Sequence, residues 1–530
     1  MQRKTNQLVA GASLLAASGL IAKILSAVYR VPFQNMAGNT GFYVYQQVYP
    51  IYGIGIVLAL SGWPAFVAQL VSEQPDEQHA KYVARRLSLL FGLAGLLSFA
   101  VLFGFSVPIA GIIGNDLRLA PVIRAVSWMF ILMPVLAIGR GYSQGQLDMR
   151  PTAISQVVEQ IVRVAIILGA AAWAINQHWD VYKMGAVAML GAPIAAIFSA
   201  ILMRKPLLKV WRGKIPHRVQ DEPAFRWWPL LKRLYREGGV LVMLSAMLVL
   251  MQLMDSMTVK NLLASMHYTQ PGQAEALKGV YDRGQPLVQL GMVLATGVSA
   301  SLLPALRGYV VNGEDAHVKA DFQLIARISL VIATVSAVGL MVVMPSLNQF
   351  LFGSREGWFA LMWYASIIIP ATLILVLAST LQSCDRSQGL IGVIFAGMVI
   401  KYVLNAQLVG YLGITGASLS TLVALLPILA YVMWRVPKVL WAGWLPQGWW
   451  LKFSATIGMV GLLARTAFVA GDLLFGISRM ASVATTLLAV LVGVLTFIFM
   501  TWWTQLMNQE EWSLLPKGDR LYTFLYERKQ

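Results

Sequence analysis

Charge is what this sequence has least of: only 12% of its 530 residues are Asp, Glu, Lys or Arg, against roughly 25% in a soluble globular chain. So polar-poor a chain belongs in a bilayer rather than in water. Cysteine is nearly absent; the single residue Cys384 excludes an internal disulfide, and five histidines without ligand spacing indicate no zinc site. Also missing are a GxxxxGK[ST] phosphate loop, an HExxH pair, a GxSxG elbow and paired acids in an external loop. The sequence therefore indicates no enzyme, no metal and no cofactor.

What is abundant is apolar: 58% of residues are hydrophobic, gathered into stretches of roughly 20 to 28 residues that match a hydrocarbon core of about 30 Å. Alternating ten-residue strands of a barrel are not seen. We read an all-α polytopic membrane protein of about fourteen transmembrane helices. The first stretch, 8–33, is too long for a signal peptide and reads as a retained helix. Helices one to six make an N-lobe (1–203), followed by a basic cytoplasmic loop (204–237) and a C-lobe of helices seven to twelve (238–434). An interfacial segment with helices thirteen and fourteen (435–506) and a cytoplasmic tail (507–530) complete the chain.

The net charge of +18 would suggest nucleic acid in a soluble protein. With the N-terminus inside, 25 of the 41 Lys and Arg fall in cytoplasmic segments and four in external ones, so the charge is topological and no nucleic-acid partner is expected. Both termini are then cytoplasmic. The loop 204–237 alone carries ten basic residues, and its Trp227, Trp228 and Leu231 suit the headgroup level, with Lys232 and Arg233 facing anionic phospholipid.

An internal repeat appears at an offset of 236 residues: YQQVYPIYGIGIVLA from Tyr45 and YDRGQPLVQLGMVLA from Tyr281 agree at six of fifteen positions, Pro50/Pro286 and Gly55/Gly291 among them. Gln144 precedes Arg163 by nineteen residues, as Gln382 precedes Lys401. Two lobes related by an axis along the membrane normal, with a cavity between them, follow from repeats of the same orientation.

Charges within spans are costly, at least about 2.5 to 3.5 kcal/mol each at mid-bilayer. Arg124, Arg140, Lys183, Lys260, Arg327 and Lys452 lie near span ends and reach the interface. Lys23 and Arg30 are two helical turns apart and share a face, forming either a basic stripe on a cavity or a snorkelling pair. Asp255 in the seventh span lies at the depth of Asp282 and Arg283 at the start of the eighth, where an Asp255–Arg283 ion pair is expected. Glu159 and Arg163 have the favourable i,i+4 order for a helical ion pair. Lys401 and Arg465, without a partner in sequence, either snorkel or meet an anionic headgroup. Cations in excess of carboxylates select an anion, and without a nucleotide module its transport would draw on the membrane potential or a Na+ or H+ gradient.

Three passages, YRVPFQNMAGNTGFYVYQQVYPIYG (29–53), RGYSQGQLDMRPTAISQVVEQIVRV (140–164) and VYDRGQPLVQLGMVLATGVSASLLPAL (280–306), resemble the multidrug/oligosaccharidyl-lipid/polysaccharide flippase superfamily. The likeness is to its MurJ-like and stage V sporulation protein B-like Gram-positive branch. The resemblance implies a V-shaped two-lobe fold, with helices one, two, seven and eight lining a cationic cavity. It also implies a bacterial plasma-membrane location and an undecaprenyl-diphosphate-linked substrate, foremost lipid II, with cell-wall synthesis proteins as possible partners. Lys23 and Arg30 resemble the family's basic pair, and Asp282 and Arg283 its helix-eight Asp-Arg. Gly41 and Pro286 stand where Gram-negative members carry acids. The alternatives are a flippase for another polyprenyl-diphosphate glycan, a multidrug antiporter and a membrane glycosyltransferase.

Overall fold

The computed structural model describes residues 2–213, 226–266, 272–293, 306, 308–310, 313–384, 386–515 and 517–526, the side chains of 2–10, 12, 13 and 526 excepted. The described residues form helices and connecting turns, with no strand among them. Twelve stretches among them are long and apolar enough to cross a membrane. The first, Leu14–Ser72, has 59 residues, far more than the about 20 that one crossing needs at 1.5 Å per residue. The expected eighth span, 279–306, leaves the described residues after 293. Twelve candidate spans therefore stand where the sequence suggested about fourteen.

Through residues 34–44, between the first apolar stretch and the next, the chain stays helical. The helix Gln2–Val28 ends one residue before the helix Arg30–Leu60 begins, and the latter is interrupted at Gly38, with φ 69° and ψ −178°. Only glycine adopts that backbone readily, because a Cβ would collide with its own peptide groups. Local chemistry places other boundaries. Asp76 starts the helix Glu77–Gly104 by accepting the amides of Gln78 and His79 at 2.8 and 3.0 Å. Those bonds, the His79 amide foremost, hold its carboxyl below the ordinary range.

The chain divides into two compact units. The first comprises 1–282 together with 388–410, and the second 283–387 together with 411–530. The helix Leu390–Leu412, distant in sequence, thus packs almost entirely in the first unit. That unit's core is rich in aromatics, with Tyr43, Tyr45, Tyr52, Phe33, Phe42 and Phe66 all buried and Trp63 stacked on Phe91 at 4.0 Å. Gly95 lies against the Phe130 carbonyl, where any Cβ would collide. Small residues permit such close backbone approach between apolar helices.

The second unit packs the helices Asp315–Phe352, Trp449–Phe475 and Arg479–Thr504. Arg355 joins Asp472 through two 2.7 Å bonds, a bidentate geometry that fixes both groups. The segment after 507, expected as a tail, contains the short helices Gln509–Ser513 and Gly518–Tyr526. Its Trp512 is buried beside Ile328, Trp449 and Phe453.

Candidate buried-cation site

In the first unit Arg30 is only 2% exposed, its guanidinium 4.3 Å from the Tyr49 ring centroid. Around it the Tyr29 and Tyr45 hydroxyls meet at 2.9 Å. Lys23, by contrast, is exposed. The helix break at Tyr29 stands between this exposed lysine and the buried Arg30.

Arg163, equally buried, donates to the Tyr52 hydroxyl, to Ser26 at 3.1 Å and to Gln160 at 2.5 Å. Its guanidinium also lies over the Tyr52 and Tyr29 rings. The expected Glu159–Arg163 pair is replaced by Glu159–Arg140 at 2.5 Å. Arg140 further donates to Ser155 and the Ala59 carbonyl. It reaches no interface, as its position near a span end had suggested, but is fully buried. A carboxylate from a second helix outcompetes a neighbour on the same helix because it meets the guanidinium inside the protein, where charge–charge attraction is less screened.

Asp255 gives a second correction. Its carboxylate is paired with Lys401 at 2.7 Å, the ion pair that sequence depth had assigned to Arg283. It also accepts from Tyr281 at 2.9 Å and Asn405 at 3.1 Å, while Asn405 donates to Thr258 at 2.8 Å. One turn before Asp282, Lys278 forms an ion pair with it at 2.5 Å, both groups buried. Sequence reading placed Lys278 in an external loop and missed it, although the i,i+4 spacing to Asp282 was the available signal.

The unit boundary falls between Asp282 and Arg283. Within the second unit Arg283 donates to Asn348 at 3.1 Å and Ser354 at 3.0 Å, over the Phe352 ring. Asn348 is itself oriented by the Glu356 carbonyl at 2.7 Å. Arg465 is exposed, with its guanidinium 4.8 Å from the Phe468 ring.

Charge bookkeeping within the first unit is then informative. Asp255, Asp282 and Glu159 each have a cation, whereas Arg30 and Arg163 have hydroxyl, amide and ring partners and no carboxylate among the described residues. Tyrosine rings and hydroxyls solvate a guanidinium without neutralising it.

An all-α multi-pass membrane protein with carboxylate-free cations buried in its helices is the class that fold and site define. A family of polysaccharide biosynthesis proteins matches residues 8–309, and the chain belongs to that family, within the multidrug/oligosaccharidyl-lipid/polysaccharide flippase superfamily. It is 34% identical to the uncharacterized membrane protein YabM of Bacillus subtilis (strain 168), over 98% of this chain and 97% of that one. With the lipid II flippase MurJ of the same organism it shares 26%, covering 81% and 82%. Among solved structures, lipid II flippase MurJ in an inward closed conformation superposes with a TM-score of 0.68 at 14% identity, over 92% of this chain and 98% of that one. An inward-facing MATE multidrug resistance transporter gives 0.61 at 12% identity, over 79% and 95%. These likenesses show a shared fold.

Proposed function

We propose that the protein is a flippase for a lipid-linked oligosaccharide. It recognises the diphosphate of a polyprenyl carrier through membrane-embedded cations, Lys23 and Arg30 in the first unit and Arg283 in the second, and moves the headgroup across the bacterial plasma membrane by alternating access. Lipid II is the substrate we favour. The observation that carries this reading is the buried Arg30–Arg163 pair without a carboxylate, since a site of that sign repels the organic cations a multidrug antiporter takes and attracts phosphate. Asp282 and Asp255, each already matched to a lysine, serve as exchangeable counter-ions when the headgroup arrives. Similarity to the lipid II flippase MurJ supports the choice of substrate.

The second reading is a flippase for another polyprenyl-diphosphate glycan: the higher identity, 34% against 26%, is to YabM, whose name assigns no substrate. Both readings are tested together by complementation. A strain depleted of its lipid II flippase is expected to be rescued by the wild-type chain and not by Lys23→Ala or Arg283→Ala at equal expression. Failure of the wild type, with restored export of another lipid-linked glycan, favours the second reading, and full rescue by both variants overturns the cation assignment.

A further inference from the structure

We propose that a cleft of about 400 Å³ in the second unit is a specific site for the phosphate of an anionic phospholipid, separate from the cations assigned to transport. Arg327, Lys452, Gln447, Gln505 and Gln509 line it, together with Trp449. It forms where the helix Trp449–Phe475 begins and the helix Arg479–Thr504 ends, closed by the segment after 507.

The polar lining is built but unspent. Arg327 donates through Nε to Glu511 at 2.7 Å and through Nη1 to the Trp444 carbonyl at 3.1 Å, which leaves Nη2 without a partner among the described residues. Lys452 and the carboxamides of Gln447, Gln505 and Gln509 likewise have no protein partner among those residues. Glu511 is the single acid of the lining. It is committed to Arg327 and to the Asn508 backbone, in a capping box whose other half is the Asn508 side chain. One guanidinium edge, one ammonium and three amides thus face the same small volume, with a net charge of about +1, as a phosphodiester requires.

Gln505 supplies an independent reason. It caps the helix Arg479–Thr504 with φ 50° and ψ 44°, a left-handed conformation that ordinarily falls to Gly or Asn. The backbone there does not call for glutamine, and the side chain lines the cleft.

Depth identifies the source of the phosphate. Trp441, Trp444, Trp449, Trp450, Trp502, Trp503 and Trp512 cluster in this part of the chain, seven of its seventeen tryptophans, with Trp450 and Trp503 more than half exposed. Tryptophan concentrates at the headgroup level of a bilayer. An anion at that level is a lipid phosphate.

The test is native mass spectrometry of the full-length protein in detergent, titrated with phosphatidylglycerol or phosphatidylcholine. Tight binding of phosphatidylglycerol is expected, with occupancy by phosphatidylcholine lower by about tenfold, because both lipids carry the phosphodiester but the trimethylammonium of phosphatidylcholine is repelled by the net positive lining. Lys452→Ala is expected to erase that preference. Gln505→Gly relieves the backbone, so it should weaken phosphatidylglycerol binding without lowering the melting temperature, which separates loss of the site from loss of the fold. Lys319→Ala, outside the cleft, should leave the preference intact. Equal binding of the two lipids, or unchanged preference in both cleft variants, would overturn the proposal. Displacement by millimolar glycerol phosphate would assign the cleft to soluble phosphate esters and overturn the lipid source.

Discussion

Asp255 and Asn405 lie 150 residues apart in the chain, yet they share a hydrogen bond at 3.1 Å, and Lys401, one turn before Asn405, carries the ion pair to the same carboxylate. No spacing rule connects such partners. The sequence marked Asp255, Lys401, Glu159 and Arg163 as charges needing an explanation, because apolar surroundings make each expensive, but it offered Glu159 a neighbour on its own helix, Asp255 a cation on the next span and Lys401 no partner. Glu159–Arg140 and Asp255–Lys401 are instead pairings between helices. Removing one member of a buried pair strands the other, at a cost of about 3 to 5 kcal/mol. Lys401→Met should therefore lower thermal stability in detergent, and adding Asp255→Asn to it should restore more than half of the loss. A double variant as unstable as the sum of the two singles would contradict the pairing. Glu159→Gln, which leaves Arg140 charged and uncompensated, should be destabilising by about the same amount, measured the same way.

Helices were legible where an apolar run is bounded by polar residues, as at Glu77–Gly104 and Trp449–Phe475. Less legible was the join between the first two expected spans, where polar Gln34, Asn35, Asn39 and Thr40 interrupt the apolar run. The chain remains helical there because a single glycine absorbs the change of direction at Gly38. No neighbouring atom lies within 4 Å of a Cβ placed on Gly38, so Gly38→Ala tests backbone strain alone. It should cost about 1 to 3 kcal/mol in thermal unfolding, whereas Thr40→Ala nearby should be close to neutral. An unchanged melting temperature for Gly38→Ala would remove the argument for a glycine-dependent break. The segment after 507 was read as a tail, although Trp512 and the Asn508–Glu511 capping box were a written signal for a docked helix start.

At the scale of the whole molecule, composition alone placed the chain in a membrane. The passages singled out at 29–53 and 140–164 lie within the region 8–309 that the family match covers. The two compact units follow spatial packing rather than chain order, the helix Leu390–Leu412 belonging almost wholly to the first. Sequence periodicity is blind to that, because helix length and polarity do not record which neighbour a helix packs against. Topology is directly testable, since Cys384 is the only cysteine. In a Cys384→Ser background, a cysteine at Arg520 should resist an impermeant external thiol reagent in intact cells and react after lysis, and labelling in intact cells would overturn the cytoplasmic assignment of the C-terminus.

The central claim is that cations buried among the helices carry a diphosphate-linked headgroup across the membrane. It is tested most directly by a leaflet-resolved lipid II assay in cells whose only flippase is this protein. The account predicts that lipid II appears in the outer leaflet with the wild-type chain and that Arg283→Ala lowers this flux at least about tenfold, the value of one charged hydrogen bond. Undiminished flux with Arg283→Ala, or lipid II confined to the inner leaflet with the wild type, would contradict it.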